Sequence, residues 1–180
     1  MPNESSKLKI VMLGDFAVGK TSLVNRYVQS IFSEKYLATL GVHISKKDIV
    51  LVAGGKKRDV SFILWDLNGE DGFHTVLPQY LKGAAGAILV CDVTRGDSRE
   101  SISRHEAMYK QANPYGLSLV AMNKSDLLSS SDLQKMEKDA ARRPFAGPAR
   151  IFWTSAKMAT NVESLFETMA TLCLSSNDHD

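Results

Sequence analysis

Along the chain, short apolar runs alternate with longer stretches in which apolar residues return every third or fourth position. Ile10-Val11-Met12-Leu13, Ala87 to Cys91, Leu117 to Met122 and Arg150 to Trp153 are of the first kind, the pattern of strands buried on both faces. Lys20 to Val28, Asp97 to Gln111, Asp132 to Arg142 and Val162 to Leu174 carry the helical period. In the last of these, Val162, Leu165, Phe166, Met169 and Cys173 fall on one face, a core-packing stripe. His43 to Val52 and Asp59 to Trp65 read as two strands turning at Ala53-Gly54-Gly55-Lys56, with Val60, Phe62 and Leu64 alternating onto one side. Ser131 to Gln134 fits a capping box, and Pro144 marks where the helix it opens should stop. Strands alternating with helices, and one hairpin between crossover units, predict an α/β fold with a doubly wound sheet.

Length and composition narrow this picture without changing it. The 180 residues suit one domain, 1–180 with a core of about 8–174, long enough to bury about 70% of its unfolded surface. A net charge of +2 with 23% charged residues makes no case for nucleic acid. Lys46-Lys47 and Lys56-Lys57-Arg58 read as solvated strand and turn positions. Cys91 and Cys173 lie in apolar runs, as free thiols acting as small core side chains. No stretch approaches the ~18 apolar residues of a membrane span, and the start has no signal-peptide core. Pro2 is incompatible with myristoylation, and Ser175-Ser176-Asn177-Asp178-His179-Asp180 offers neither a lipidation cysteine nor basic residues. The expectation is therefore a cytoplasmic protein with no direct membrane anchor, recruited to membranes only through a partner.

Four segments carry chemistry, each just past a predicted strand. Gly14-Asp15-Phe16-Ala17-Val18-Gly19-Lys20-Thr21 fits the phosphate-binding loop pattern between a strand and a helix. There the backbone N–H groups from Ala17, Val18 and Gly19 through Lys20, Thr21 and Ser22, with the positive helix end, face an anion. Lys20 is placed to reach the β- and γ-phosphates and Thr21 to offer a hydroxyl to Mg²⁺. Trp65-Asp66-Leu67-Asn68-Gly69 follows the hairpin. Alone it is as often an ordinary turn, but beside a phosphate loop Asp66 suits Mg²⁺ and Gly69 lets a backbone N–H approach a γ-phosphate. Asn123-Lys124-Ser125-Asp126 and Ser155-Ala156-Lys157 describe a base pocket. The Asp126 carboxylate accepts two parallel hydrogen bonds from guanine N1–H and the 2-amino group, which adenine cannot donate. The Lys124 stem covers the ring, and the Ala156 N–H donates to O6.

Together these segments resemble the Ras superfamily of small GTPases, P-loop NTPases, and most closely its Rab type, over about Leu8 to Leu174. Tyr36-Leu37-Ala38-Thr39-Leu40-Gly41 is similar to that branch's first switch, Tyr80-Leu81-Lys82-Gly83-Ala84 through Asp92-Val93-Thr94 to its central strand, and Asn161 to Phe166 to its final helix. The resemblance implies a six-stranded sheet, mostly parallel with one antiparallel edge strand, with helices on both faces. It implies GTP and GDP with Mg²⁺ as ligands, Thr39 closing on metal and γ-phosphate, Phe32 near the guanine, and a GTP-on, GDP-off cycle. It implies effector, exchange and activating proteins as partners through the switch regions, with Lys20 and Gly69 assisting hydrolysis.

The departures from that family fall where hydrolysis is controlled. Glu70 stands where glutamine usually orients the attacking water, and Phe16 where a glycine or small residue is usual. Leu67 and Asn68 replace smaller or hydroxylated residues, and His43-Ile44 replaces an apolar-aromatic pattern. Two functions follow: a slow GTP-hydrolysing switch, or a nucleotide-loaded interaction module with negligible hydrolysis. An ATPase or P-loop kinase fits less well, because Asp126 and Ala156 select guanine.

Overall fold

The computed structural model describes residues 6–33, 41–53, 55–67, 77–142, 145, 148 and 150–177. Six strands form one sheet in the order β2-β3-β1-β4-β5-β6. They are β1 (Ser6–Leu13), β2 (Val42–Ala53), β3 (Lys56–Leu67), β4 (Gly86–Asp92), β5 (Leu117–Asn123) and β6 (Arg150–Trp153). All neighbours run parallel except β2, which pairs antiparallel with β3 at the edge. The expected fold class holds in full, and each strand extends to or slightly beyond its expected span.

Burial on both faces explains why the central strands are apolar throughout. In β1, Leu8, Ile10 and Met12 point to one side and Val11 and Leu13 to the other, all nearly inaccessible. The first side is covered by α1 (Lys20–Gln29) and α6 (Val162–Asn177), the second by α2 (Leu77–Leu81) and α4 (Ile102–Ala112). The stripe of Val162, Leu165, Phe166, Met169 and Cys173 is buried, as its spacing requires. Phe166 stacks on Tyr27 of α1 at 4.1 Å between ring centroids, and Phe62 of β3 meets Tyr27 edge-on at 5.8 Å. Both cysteines are free and buried.

Four expectations need correction. The helix expected over Asp97 to Gln111 is two, α3 (Gly96–Glu100) and α4, meeting at Ser101. The Ser101 hydroxyl is drawn to the Asp15 carboxylate at 2.6 Å, a tertiary contact that periodicity does not report. The helix α5 (Ser130–Arg142) is capped by Ser129, whose hydroxyl accepts the Asp132 N–H at 3.1 Å and donates to the Asp132 carboxylate at 2.6 Å. The reciprocal pair is Ser129 with Asp132, two residues ahead of the expected Ser131 and Gln134. Lys47 is not a solvated position: its ammonium sits 3.8 Å from the Tyr27 ring centroid and donates to the Tyr27 carbonyl at 2.6 Å. The last helix runs three residues further than expected, to Asn177. Pro144 lies outside the described residues, although α5 does end at Arg142.

Candidate nucleotide site

The parallel strands of a doubly wound sheet deliver their following loops to one edge, where such folds hold ligands. Here Leu13, Leu67, Asp92, Asn123 and Trp153 end the five parallel strands, so all four chemical segments converge there. Their convergence is a consequence of topology, since the last segment lies more than a hundred residues from the first.

The loop after β1 needs glycine at two places. A Cβ on Gly14, at φ +148°, would lie 2.2 Å from the Val90 carbonyl oxygen. One on Gly19, at φ +103°, would lie 2.2 Å from the Asn123 side-chain nitrogen. Gly19 caps α1 with no side-chain hydrogen bond, so the helix presents its N-terminal end to the loop, the usual setting for an anion. Lys20 is buried and curls back to donate to the carbonyls of Gly14 at 2.7 Å and Asp15 at 2.9 Å. Burial pushes its ammonium down to about 8, against the opposing attraction of Asp66 and Asp15.

Asp66 is fully buried, and its Oδ2 accepts the Thr21 hydroxyl at 2.5 Å. Its Oδ1 finds no hydrogen-bond partner among the described residues. Burial raises the Asp66 carboxyl above its ordinary value in spite of Thr21, Lys20 and His43, which all favour the charged form. An orphaned carboxylate oxygen beside a threonine hydroxyl, next to a helix end that favours anions, fits a hard divalent cation that takes one or two protein oxygens and completes its shell with phosphate and water. The fit is to Mg²⁺ held with a nucleotide; among the described residues no group of three or more His, Cys, Asp or Glu gathers as a free-standing metal site.

The base side is built on Asn123, which is almost completely buried. Its Nδ2 donates to the Val18 carbonyl at 3.0 Å, while its Oδ1 accepts the Thr154 hydroxyl and the Ala156 N–H, each at 3.3 Å. One side chain thus joins the phosphate loop to both base loops. Lys124, in the left-handed region at φ +63°, sends its ammonium to the Ala17 carbonyl at 2.9 Å and to Asp92 at 2.7 Å. Burial works against the Asp92 carboxylate, but hydrogen bonds from Lys124 and Thr94 outweigh it and hold it below the ordinary range. Asp126 is exposed and accepts the Ser155 hydroxyl at 2.5 Å on Oδ1; the same Ser155 oxygen accepts the Met158 N–H at 2.9 Å. Lys157 is exposed beside it, and Phe32 is half-buried against the α1 and α6 core. Ser22 follows Thr21 in the first turn of α1.

Four residues that sequence reading gave no role stand at the site. Arg26 of α1 forks onto the Ala156 carbonyl at 2.7 Å and the Lys157 carbonyl at 3.0 Å, and its guanidinium lies 5.9 Å from the Phe32 ring centroid. Asp92 closes the pair with Lys124. Asp15 of the phosphate loop accepts from Ser101, from Arg104 at 3.2 Å and from His105 at 2.8 Å, all at the α3–α4 junction. Arg95 donates to the Phe16 carbonyl at 2.8 Å, leaving that side chain 40% exposed. A polar residue ending an apolar run could have marked Asp92; nothing local marks Arg26 or Asp15. Thr39, Gly69 and Glu70, named for switching, γ-phosphate contact and water orientation, lie outside the described residues.

Among the described residues no helix is long and apolar enough to cross a membrane. Residues 9–175 match the model of the Ras family. The chain is 36% identical to Ras-related protein RABF2b of Arabidopsis thaliana over 93% of its length and 82% of that protein. It is 34% identical to Ras-related protein Rab-31 of Rattus norvegicus over 89% of its length and 80% of that protein. It is 33% identical to the Ypt/Rab-type GTPase ypt7 of Schizosaccharomyces pombe over 96% of its length and 85% of that protein. With a family match across nearly the whole chain and the strand-end site on the same fold, this protein belongs to the Ras family of small GTPases and is Rab-like within it.

Proposed function

We propose that the chain is a guanine-nucleotide switch of the trafficking type with slow intrinsic GTP hydrolysis. The observation that carries the nucleotide reading is the Lys20, Thr21 and Asp66 cluster at the N-terminal end of α1, with a buried lysine and a buried carboxylate, one oxygen of which has no partner among the described residues. Lys20, released from the Gly14 and Asp15 carbonyls, neutralises the β- and γ-phosphates; Thr21, Asp66 and, in the triphosphate state, Thr39 hold Mg²⁺. When bound, the ion would supply charge neutralisation to the phosphates. Asp126 selects guanine, the Ala156 N–H turns from Asn123 Oδ1 to donate to O6, and the backbone of Ala17 to Ser22 wraps the phosphates, with Asn123 and Ser155 holding the loops to one another through their remaining bonds. Effectors, exchange factors and activating proteins engage through the switch segments.

Slow hydrolysis rests on residue type. An ionised Glu70 accepts a hydrogen bond from water but cannot donate one to a γ-phosphate oxygen. A charge about 4 Å from a group already gaining charge costs roughly 4 kcal/mol at an effective dielectric near 20, two to three decades in rate. Phe16, half-exposed above a loop that Arg95 fastens in place, crowds the approach of an activating arginine. The test is single-turnover hydrolysis by purified protein loaded with GTP and Mg²⁺. Glu70→Gln should speed it by about tenfold or more; a marked slowing would make Glu70 a working base instead. Stable GTP in both proteins would favour the nucleotide-loaded interaction module.

A further inference from the structure

β2 is the outer strand of the sheet, pairing only with β3 among the described residues, and its register with β3 runs from Val42 opposite Leu67 to Ala53 opposite Lys56 without a bulge. It has no proline and no glycine. Edge strands of this length are normally interrupted or covered, because their outward N–H and C=O groups pair with any strand that fits. The two faces of β2 differ. Ile49 and Leu51 pack on the core and Lys47 turns inward onto Tyr27. On the other face Ile44, Val50 and Val52 are 51%, 61% and 68% exposed, with Lys46 and Asp48 between them.

We infer that β2 pairs antiparallel with the β2 of a second copy of this chain, across a two-fold axis through Lys47 perpendicular to the sheet. A two-fold of that kind keeps each face on its own side, so only registers that oppose residues of the same face are possible. With the axis at Lys47, Lys46 stands opposite Asp48 of the second copy and Asp48 opposite its Lys46, an attractive pair made twice. Ile44 then opposes Val50, and Val42 opposes Val52, again twice each. Sliding the strands by two residues sets Lys46 against itself in one direction and Asp48 against itself in the other, and like charges directly opposed are unfavourable. The pattern of β2 is therefore self-complementary in one register and penalised in its neighbours. The two Lys47 side chains, which meet at the axis on the inner face, are each already drawn to their own Tyr27 carbonyl and ring. Within one chain Lys46 contacts Asp48 Oδ2 at 2.9 Å with both side chains more than half exposed, a pair of little net worth; Oδ2 can exchange Lys46 for the second copy's while Oδ1 keeps the Ser61 hydroxyl.

Charge exchange tests this register apart from general stickiness. Sedimentation of the GDP- and Mg²⁺-loaded protein over a wide concentration range should show reversible association to twice the chain mass. Lys46→Asp opposes two carboxylates at each former pair and Asp48→Lys two ammoniums, so each variant alone should be monomeric where the native chain is dimeric. Mixed in equal amounts they should regain the dimer, since every opposed pair is then attractive, and Lys46→Asp combined with Asp48→Lys in one chain should dimerise by itself. GDP affinity, unchanged in all variants, serves as the control for folding. A native chain that stays monomeric throughout, variants that dimerise as the native chain does, or a mixture that remains monomeric would each overturn the assignment.

Discussion

On the proposed reading, selectivity for the base comes down to the geometry of one side chain, Asp126. Asp126 is exposed, yet one of its oxygens is already held by the Ser155 hydroxyl, which limits its rotation and leaves acceptor positions for a planar donor pair. Replacing it by asparagine substitutes a donor for one acceptor, which matches a carbonyl at the purine 2-position and not an amino group. Asp126→Asn should therefore weaken GDP by about a hundredfold or more, given roughly 1.5–3 kcal/mol for each charge-assisted hydrogen bond lost. Xanthosine diphosphate should bind the variant more tightly than GDP does. A competition titration of the two nucleotides reads the result directly, and an unchanged preference for guanine would remove Asp126 from the base pocket. The proposed role comes from residue type and spacing, because a carboxylate meets both guanine donors. What spacing could not supply was Ser155 as its restraint.

At the scale of elements, the base loop after β6 closes on itself through an isolated antiparallel bridge between Ser155 and Thr160, and it is braced from outside. Its support comes from α1, through the Arg26 fork onto the Ala156 and Lys157 carbonyls, while a third bond to the Ser30 carbonyl at 3.0 Å closes the end of the same helix. The guanidinium's planar set of donors suits several carbonyls at once, which a lysine ammonium cannot reproduce. Arg26→Ala should speed release of a fluorescent GDP analogue by about tenfold or more, the equivalent of ~1.4 kcal/mol, and Arg26→Lys should recover only part of the loss. Equal release rates from all three proteins would show that the loop holds its shape without α1. Helix periodicity placed α1 correctly to within a residue at its end. It was silent on Arg26 because a polar position on an exposed-looking face carries no sign of what it touches 130 residues away.

At the scale of the molecule, Asp15 couples the phosphate loop after β1 to the α3–α4 junction. Its carboxylate is opposed by burial, but Ser101, His105 and Arg104 together hold it below the ordinary value of 3.8. His105, itself buried, is lowered from 6.5 because desolvation exceeds the attraction of Asp15; the nearby cations Arg104 and Lys20 push in the same direction. A histidine whose folded value is depressed contributes stability that is present above 6.5 and is lost as the pH falls through the folded value. Global stability should thus decline on mild acidification, with His105 contributing at most about 1.4 kcal/mol per pH unit. His105→Gln keeps a donor for Asp15 but cannot titrate, so denaturant unfolding of that variant should show a flatter slope just below pH 6.5. An identical slope in the native chain and the variant would assign the acid sensitivity to other groups.

Local pattern was enough for the fold class, the six strands, the places where the chain turns toward the ligand edge, and the residue types that suit phosphate, Mg²⁺ and guanine. Those follow from local rules: burial on two faces makes a strand apolar throughout, and a glycine-bounded loop between strand and helix presents backbone N–H groups to an anion. Local pattern did not reach the grip of Asn123 and Lys124 on the phosphate loop, the brace of Arg26 on the base loop, the place of Lys47 at the core edge, or the break between α3 and α4 at Ser101. Each is a contact between segments far apart in the chain. A side chain's local pattern records which way it faces, whereas its partner is set by how the sheet brings distant loops together.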